Sequence, residues 1–484
     1  VIRDLTRLTA SEHDLLVIGG GISGATCAYD AALRGLRVAL VEAADFCSGA
    51  SWNSLKTIHG GLRHLQRGDL FALRESMGER RCLLRIAAPI VRPLPFLVPT
   101  YGHGPKGREA LALGLLLNDL VSFDRNRGQV AERRIPRSRC LSRREVMAEL
   151  PGLPGARLTG GALWFDAQVK SSERLVLGFL HGAAAQGAVL ANYVEVTGLL
   201  GQGGRVVGVR ARDREAEGEL EIRARMVLSC AGPAVDEVLS RGGVRRPAVP
   251  LLRAANLVLS RRIVGDKAVG RAVGGRFLFM VPWEDRTMVG TSYVPAASGR
   301  PGAAELLEDA RAAFPWAELE ARDVALVHVG LVPGEGDGSG LWTRHRLIDH
   351  EREDGTPGLI SVVAVKYTTG RAVAEQAVDL AVARLGRRAA PCRSAEQSLP
   401  GLAPAGDLPR ARAQSAVRDE MALHLDDAVL RRLDLGTRQP AEAAQVDEVA
   451  GAMAAELGWD GPRLRSERQR LERFYAMASL SQSS

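Results

Sequence analysis

The segment KTIHGGLRHL, residues 56–65, sets Lys56, His59, Arg63 and His64 within ten positions, around the pair Gly60–Gly61. A core helix face does not carry that mixture. Cationic and proton-exchanging side chains beside glycines suit a bound cofactor or an anionic substrate. Arginine offers a planar fork of donors to an anion, and histidine exchanges protons near neutral pH. Glycines let a backbone pass close to a flat ligand.

About thirty residues upstream, Gly19, Gly21 and Gly24 form G-x-G-x-x-G between the apolar run DLLVI and a helical pattern. The first glycine allows the tight turn, the second lets a pyrophosphate approach the backbone, and the third allows close helix–strand packing. The helix start offers free N–H groups and a positive dipole end. Glu42 closes the next apolar run, LRVALVEA, eighteen residues after Gly24. An acid at that distance accepts hydrogen bonds from a ribose diol. Glycines alone are weak evidence; between two apolar strands, with the acid in place, they predict a dinucleotide site.

The loop that follows, AADFCSGASWNSLKTIHGG, is small and polar. Such a loop wraps the pyrophosphate and flavin of FAD, whereas a nicotinamide enzyme more often continues into its next strand–helix unit. Two later segments agree. VLSCAGPAVDEV ends a strand in Ala231-Gly232-Pro233, suited to closing over the cofactor. VVAVKYTTGRAVAEQA ends a strand in a turn and opens a helix. Its first N–H groups suit the electron-rich edge of a flavin, with Thr368 or Thr369 as its cap.

These elements imply an α/β fold with three parts. A Rossmann-like FAD-binding domain is expected over 12–90, 155–240 and 345–392. An antiparallel-sheet substrate domain fills 91–154 and 241–344, and a helical domain follows over 398–484, after a linker near 393–408. The 484-residue length fits two or three domains. A hydrophobic fraction of 46% with 25% charged residues is that of a globular chain. The net charge of +8 favours anionic partners. Nucleic acid is not among them: no zinc finger and no basic stripe interleaved with aromatics is present, and aromatics make up 5%. No metal site is predicted. The six cysteines form no C-x-x-C pair, which points to a reducing, cytoplasmic setting. The first thirteen residues lack an apolar signal region, and no uninterrupted apolar run reaches about 18 residues.

The motifs DLLVIGGGISGA, SLKTIHGGLRHL, CAGPAVD, MVPWEDRTMVGTS, TRHRLIDH and VKYTTGRAVAEQA stand in an order that resembles FAD-dependent glycerol-3-phosphate dehydrogenases and oxidases. These belong to the wider D-amino-acid-oxidase-like flavoproteins. The resemblance runs from about Asp14 to Phe474 and is most specific at IHGGLR. It implies non-covalent FAD, oxidation of a secondary alcohol beside a phosphomonoester, and electron transfer to quinone or oxygen. It also implies contact with the inner face of the cytoplasmic membrane. VRPLPFLVP and REALALGLLLNDLV, with Arg85, Arg92, Lys106 and Arg108 nearby, suit such docking, although a buried helix explains them equally. A homodimer is a further expectation.

Carried over by motif, Arg63, Arg344 and Lys366 are the basic residues of a substrate-phosphate pocket. The expected cofactor contacts are Gly19, Gly21, Ser23, Gly24 and Glu42 at the turn. They continue through Ser51, Ser54, Lys56, His59, Gly60 and Gly61, and then Val194, Ala231, Gly232, Lys366 and Thr368. His59, His64, Tyr293 and Lys366 all qualify as the base that removes a heteroatom proton.

Departures cluster at the expected substrate pocket. Val332 stands where the family places an arginine, Asn256 where it places a histidine, Tyr293 where it places an acid, and His64 where it places a tyrosine. The cofactor residues are kept. That pattern predicts retained flavin chemistry with a shifted substrate: a small phosphorylated polyol or another small anionic hydroxy compound. The alternatives are an amine or amino-acid oxidase of the same superfamily and, outside catalysis, an FAD-bound regulatory module.

Overall fold

The computed structural model describes residues 2–65, 67–104, 107–244, 248–298, 302–335, 340–403 and 408–480. Lys106 and part of the expected linker lie outside them.

The nucleotide fold rests on a six-stranded sheet. Its order is Arg346–Asp349, Leu359–Val363, Val227–Ser229, Leu15–Ile18, Val38–Val41 and Val189–Ala191. All neighbours run parallel except the first pair. Leu15–Ile18 and Val38–Val41 are buried at every position. A parallel sheet covered on both faces requires this, and it explains why these strands read as unbroken apolar runs. Leu15, Val17 and Leu40 face the helices Ile22–Leu33, Ser172–Ala185 and Gly370–Leu385, with Ala25, Phe179 and Ala377 in one core. Leu16, Ile18 and Val41 pack the opposite way, onto Val196, Val209 and Ile222. Those three side chains belong to the small antiparallel sheet of Val194–Gln202, Arg205–Asp213 and Glu219–Arg223.

A nine-stranded, mostly antiparallel sheet forms the second body. Its longest pairing is Val91–Tyr101 against Leu158–Val169, near one end of the sheet. The first of these holds three prolines, Pro93, Pro95 and Pro99, yet forms an eleven-residue strand. Proline removes a ladder donor and is tolerated where that N–H is not needed. The short strand Thr57–Ile58 pairs with the far edge at Gln168 and Ala167, so the KTIHGG segment enters the sheet just before its glycines.

The C-terminal part has its own apolar core, with Ala413, Leu425, Val449, Met453 and Leu471. DEMALHLDDAVLRRLDLG, with apolar spacings of three and four, is divided. The helix Pro409–Glu420 stops at Met421, whose φ is 54°, and a π-helix follows over Asp427–Arg432. The break places two consecutive arginines against buried acids.

Candidate functional site

The glycine turn leaves no room for side chains. Gly19 has φ +106°, and a Cβ there would lie 2.5 Å from the Cys230 carbonyl oxygen. A Cβ on Gly24 would sit 1.8 Å from the Gly19 oxygen. Gly21 caps the helix Ile22–Leu33 without a side-chain bond, and the Ser51 hydroxyl accepts from the Ile22 N–H at 3.0 Å. Ser51 therefore stands at the helix start, as its place in the polar loop implies. Glu42 ends the second strand, its carboxylate accepting from the Gly20 N–H at 2.6 Å and the Ala44 N–H at 2.9 Å. Burial pushes its pKa up despite those donors. Val194 is buried, and its N–H donates to the Glu42 carbonyl at 2.8 Å. Ala231 and Gly232 begin the turn after Val227–Ser229, beside Gly19. A close-approach turn, an acid at the second strand and a polar loop fit a bound adenine dinucleotide.

Two segments distant in sequence are tied together next to this turn. The His59 N–H donates to the Thr368 hydroxyl at 3.1 Å. Lys366 Nζ meets His64 Nε2 in a short contact. The Thr368 hydroxyl accepts that bond and keeps its own proton to donate. Thr369 occupies the cap position of Gly370–Leu385 with no side-chain bond, so neither threonine hydroxyl caps that helix. Burial and the Lys366 charge lower the His64 pKa to about 4, leaving a neutral ring that accepts from the ammonium. Burial also lowers the pKa of Lys366, against the pull of Glu75 and Asp69. Arg63 is exposed and makes no ion pair among the described residues. Its charge reaches both Lys366 and Tyr293. Burial raises the Tyr293 hydroxyl, and the Thr291 hydrogen bond and the Arg63 charge oppose it.

His59 is backed by an acid that sequence reading did not single out. Asp166 Oδ2 lies 3.3 Å from His59 Nδ1, while Oδ1 accepts from Gly60 N–H and from Arg80 at 2.7 Å each. Burial would raise the Asp166 pKa, but the His59 contact and the Arg80 charge outweigh it and hold it low. An acid inside the apolar run ALWFDAQV was the available signal. Also unanticipated is His328, buried against Trp52 at 4.6 Å between ring centroids. Burial and the nearby Lys56 charge lower its pKa to about 3.

Three expected ligand contacts differ in the structure. Lys56 has a fully buried ammonium that donates to Trp52 O and Ser172 Oγ at 2.8 Å and to Glu173 at 3.0 Å. Its three protons are spent inside the protein, because a buried charge needs partners. Asn256 is tied at both ends, donating to Asn53 O at 2.9 Å and accepting from Thr291 Oγ1 at 2.7 Å. Its amide holds the sheet to the polar loop and presents nothing to a substrate. Arg344 pairs with Asp69 at 3.0 Å and is 67% exposed. It stands with Lys366, Phe71 and Glu75 at the rim of a cavity of about 200 Å³, and its charge reaches His64. Ser54 accepts from the Lys56 N–H at 3.3 Å, and Val332 sits opposite Leu252 in the large sheet.

Residues 14–380 match the family described as FAD dependent oxidoreductase. This chain belongs to that family. Residues 381–464 of the oxidoreductase match the C-terminal domain of alpha-glycerophosphate oxidase. It is 32% identical to a glycerol-3-phosphate dehydrogenase of Mycobacterium leprae, over 94% of this chain and 86% of that protein. A glycerol-3-phosphate dehydrogenase of Synechocystis is also 32% identical, over 83% and 75%. Among solved structures, a glycerol-3-phosphate dehydrogenase from Bacillus halodurans complexed with FAD superposes with a TM-score of 0.76 at 25% identity. That match covers 98% of this chain and 97% of that one. An L-proline dehydrogenase from P. horikoshii shares the fold, with a TM-score of 0.59 at 14% identity. The oxidoreductase is thus FAD-dependent, and its α/β fold with an added helical part agrees with these relatives. No helix among the described residues is long and apolar enough to cross a membrane, and no metal-binding cluster occurs among them.

Proposed function

We propose that this chain oxidises the hydroxyl-bearing carbon of a small phosphorylated polyol, with glycerol 3-phosphate the first candidate. The observation that carries this reading is the cluster of Arg63, Lys366 and His64, tied to the glycine turn's neighbourhood, in a chain similar over most of its length to glycerol-3-phosphate dehydrogenases. Gly19, Gly21, Gly24, Glu42, Ser51, Ala231 and Gly232 hold the dinucleotide, and Gly60 and Gly61 let the backbone pass the ring system. Bound there, FAD supplies a two-electron acceptor for hydride.

Arg63 and Lys366 bind the phosphate, the arginine by paired donors and the lysine as a point charge. Neutral His64 accepts from Lys366 and fixes the direction of its remaining protons. His59 takes the hydroxyl proton. Asp166 accepts from its Nδ1–H and so presents Nε2 as the basic nitrogen, while Arg80 keeps Asp166 ionised. Tyr293, beside Arg63, orients the substrate. Three parts, for nucleotide, substrate and C-terminal helices, carry these roles, although Thr57–Ile58 and Leu158–Val169, expected in the nucleotide part, pair within the nine-stranded sheet.

Anaerobic mixing with glycerol 3-phosphate tests the assignment. Bleaching of the flavin absorbance is expected, and an unchanged spectrum at millimolar substrate overturns it. Val332 and Asn256, uncharged where an arginine and a histidine are expected, favour a second reading as an amine or amino-acid oxidase. Peroxide formed with N-methyl amino acids and not with polyol phosphates would establish that one.

The electron acceptor is a quinone or oxygen, and the chain docks on the inner face of the cytoplasmic membrane. The helix Arg108–Val121 supports this, exposing Leu113, Leu116 and Leu120 beside Phe123, which is 80% exposed. Arg125, Arg137 and Arg139 line the adjoining cavity of about 650 Å³ and suit anionic lipid. Co-sedimentation with anionic vesicles is expected, and Leu116→Glu with Leu120→Glu should abolish it.

A further inference from the structure

Three residues beyond Glu42, at the start of the polar loop, Asp45 is fully buried. Arg432 grips it with both terminal nitrogens, Nη1 to Oδ2 at 2.8 Å and Nη2 to Oδ1 at 2.7 Å. Arg431 donates to the same carboxylate through Nε. Its Nη2 reaches Asp427 at 2.7 Å and Asp426 at 3.0 Å. Both arginines lie on the π-helix Asp427–Arg432, nearly 400 residues away in sequence. Asn192 Nδ2 bridges Asp45 at 3.1 Å and the Met421 carbonyl at 2.8 Å. The Tyr193 hydroxyl donates to Asp427 at 2.6 Å. On its backbone side, the stretch around these two residues exchanges three hydrogen bonds with Glu42 and Ala44. The path from Glu42 to the C-terminal part is therefore continuous, through backbone bonds at Glu42 and charge-assisted ones at Asp45 and Asp427. Arg174 extends it, donating to Glu420 and to the Arg432 carbonyl.

None of these groups needs to be charged for the C-terminal helices to pack, since those helices have an apolar core of their own. A buried charge left without its partner is strongly unfavourable. The acid at Asp45 thus obliges the Glu42–Asp45 turn and the π-helix to be ordered together. We propose that the Arg431–Arg432 pair is a positioning device for FAD, and that docking of the C-terminal segment and binding of the nucleotide are coupled through Asp45. The inference rests on the placement of the FAD ribose at Glu42. By linkage, FAD must then tighten the C-terminal dock as much as the dock tightens FAD.

The test uses the full-length apoprotein titrated with FAD and followed by flavin fluorescence anisotropy. Arg432→Lys keeps the charge but loses the two-pronged grip, and the FAD Kd should rise about tenfold. Glu42→Gln should weaken FAD as well. The double variant should lose less than the sum of the two, because both act on one turn. Hydrogen exchange supplies a second readout on the wild-type chain: FAD should slow exchange of the amides at 421–433. A folded Arg432→Lys chain that binds FAD within about twofold of wild type, beside a weakened Glu42→Gln, overturns the coupling alone. Normal binding by Glu42→Gln overturns the ribose placement and the coupling with it. If Arg432→Lys does not fold, the exchange experiment decides: protection at 421–433 supports the coupling, and unchanged exchange rejects it.

Discussion

The glycine turn at residues 19–24 and the cluster around Arg63 are built on opposite principles. The turn is backbone packed closely, with carbonyl oxygens where a Cβ on Gly19 or Gly24 would stand. At Gly19 and Gly24 no side chain fits, so the form there follows from steric exclusion. The Arg63 cluster is made of side chains whose partners are one another: Lys366 against His64, and Arg63 within reach of Tyr293. A cluster of that kind can exchange members and stay folded. The departures at 64 and 293 belong to this second kind of construction, and the turn has none. On the proposed reading, a rigid nucleotide holder beside a replaceable substrate cage would let one cofactor serve changing chemistry.

The sharpest way to break this contrast is at the proton-transfer step. His59→Ala should lower kcat by about 1,000-fold with FAD content unchanged, measured by steady-state turnover on flavin-normalised enzyme. A loss of FAD instead would assign His59 to the holder. The next largest effect is on stability against pH. His64 has a folded pKa of about 4, below the ordinary 6.5, so the unfolded chain takes up its proton first. The stability tied to neutral His64 is complete above pH 6.5 and is lost as pH falls towards about 4. Denaturation midpoints across that range should show the slope, and His64→Phe should flatten it.

Gly24→Val comes third, with FAD bound about 100-fold more weakly because its side chain overlaps the Gly19 carbonyl. Equilibrium dialysis of the purified chain checks this; KM for residual holoenzyme should not move. The smallest effects lie in the cage's cations. Arg63→Ala should raise KM for the phosphorylated substrate about 30-fold, the worth of a charge-assisted pair of hydrogen bonds. Arg344→Ala should change it by about twofold, since its exposed pair with Asp69 contributes little. Equal effects from the two arginines would place Arg344 inside the cage.

The nucleotide fold was legible because it is written in local pattern. Apolar strands buried on both faces read as unbroken runs, and Gly19, Gly24 and Glu42 stand at distances set by one turn and one helix. The eleven-residue strand with three prolines was less legible, since proline ordinarily argues against a strand. At the site, sequence brought forward His59, His64, Arg63 and Lys366 but not how they are partnered. Asp166 and Arg80 lie 107 and 86 positions from the residues they serve, counted from His59 and Asp166 respectively. No periodicity encodes such pairing. Lys56 was misread for a related reason: a lysine next to a glycine-rich loop looks available, and only the fold reveals Glu173 beneath it. Asn256 and Arg344 were placed by motif position, which carries no information on whether a side chain is already engaged.

The strand order of the six-stranded sheet also fixes a timetable. Leu15–Ile18 has Val38–Val41 on one side, made moments later, but its other neighbour is Val227–Ser229, and the strand beyond that is Leu359–Val363. At about 5–20 residues per second, a ribosome needs roughly 20–70 seconds to pass from the first of these strands to the last. For that time, apolar strands made for a covered centre wait at an open edge, and edges of that kind invite pairing with other chains. Efficient production of this protein therefore depends on what shields its first two hundred residues while the rest is still being translated.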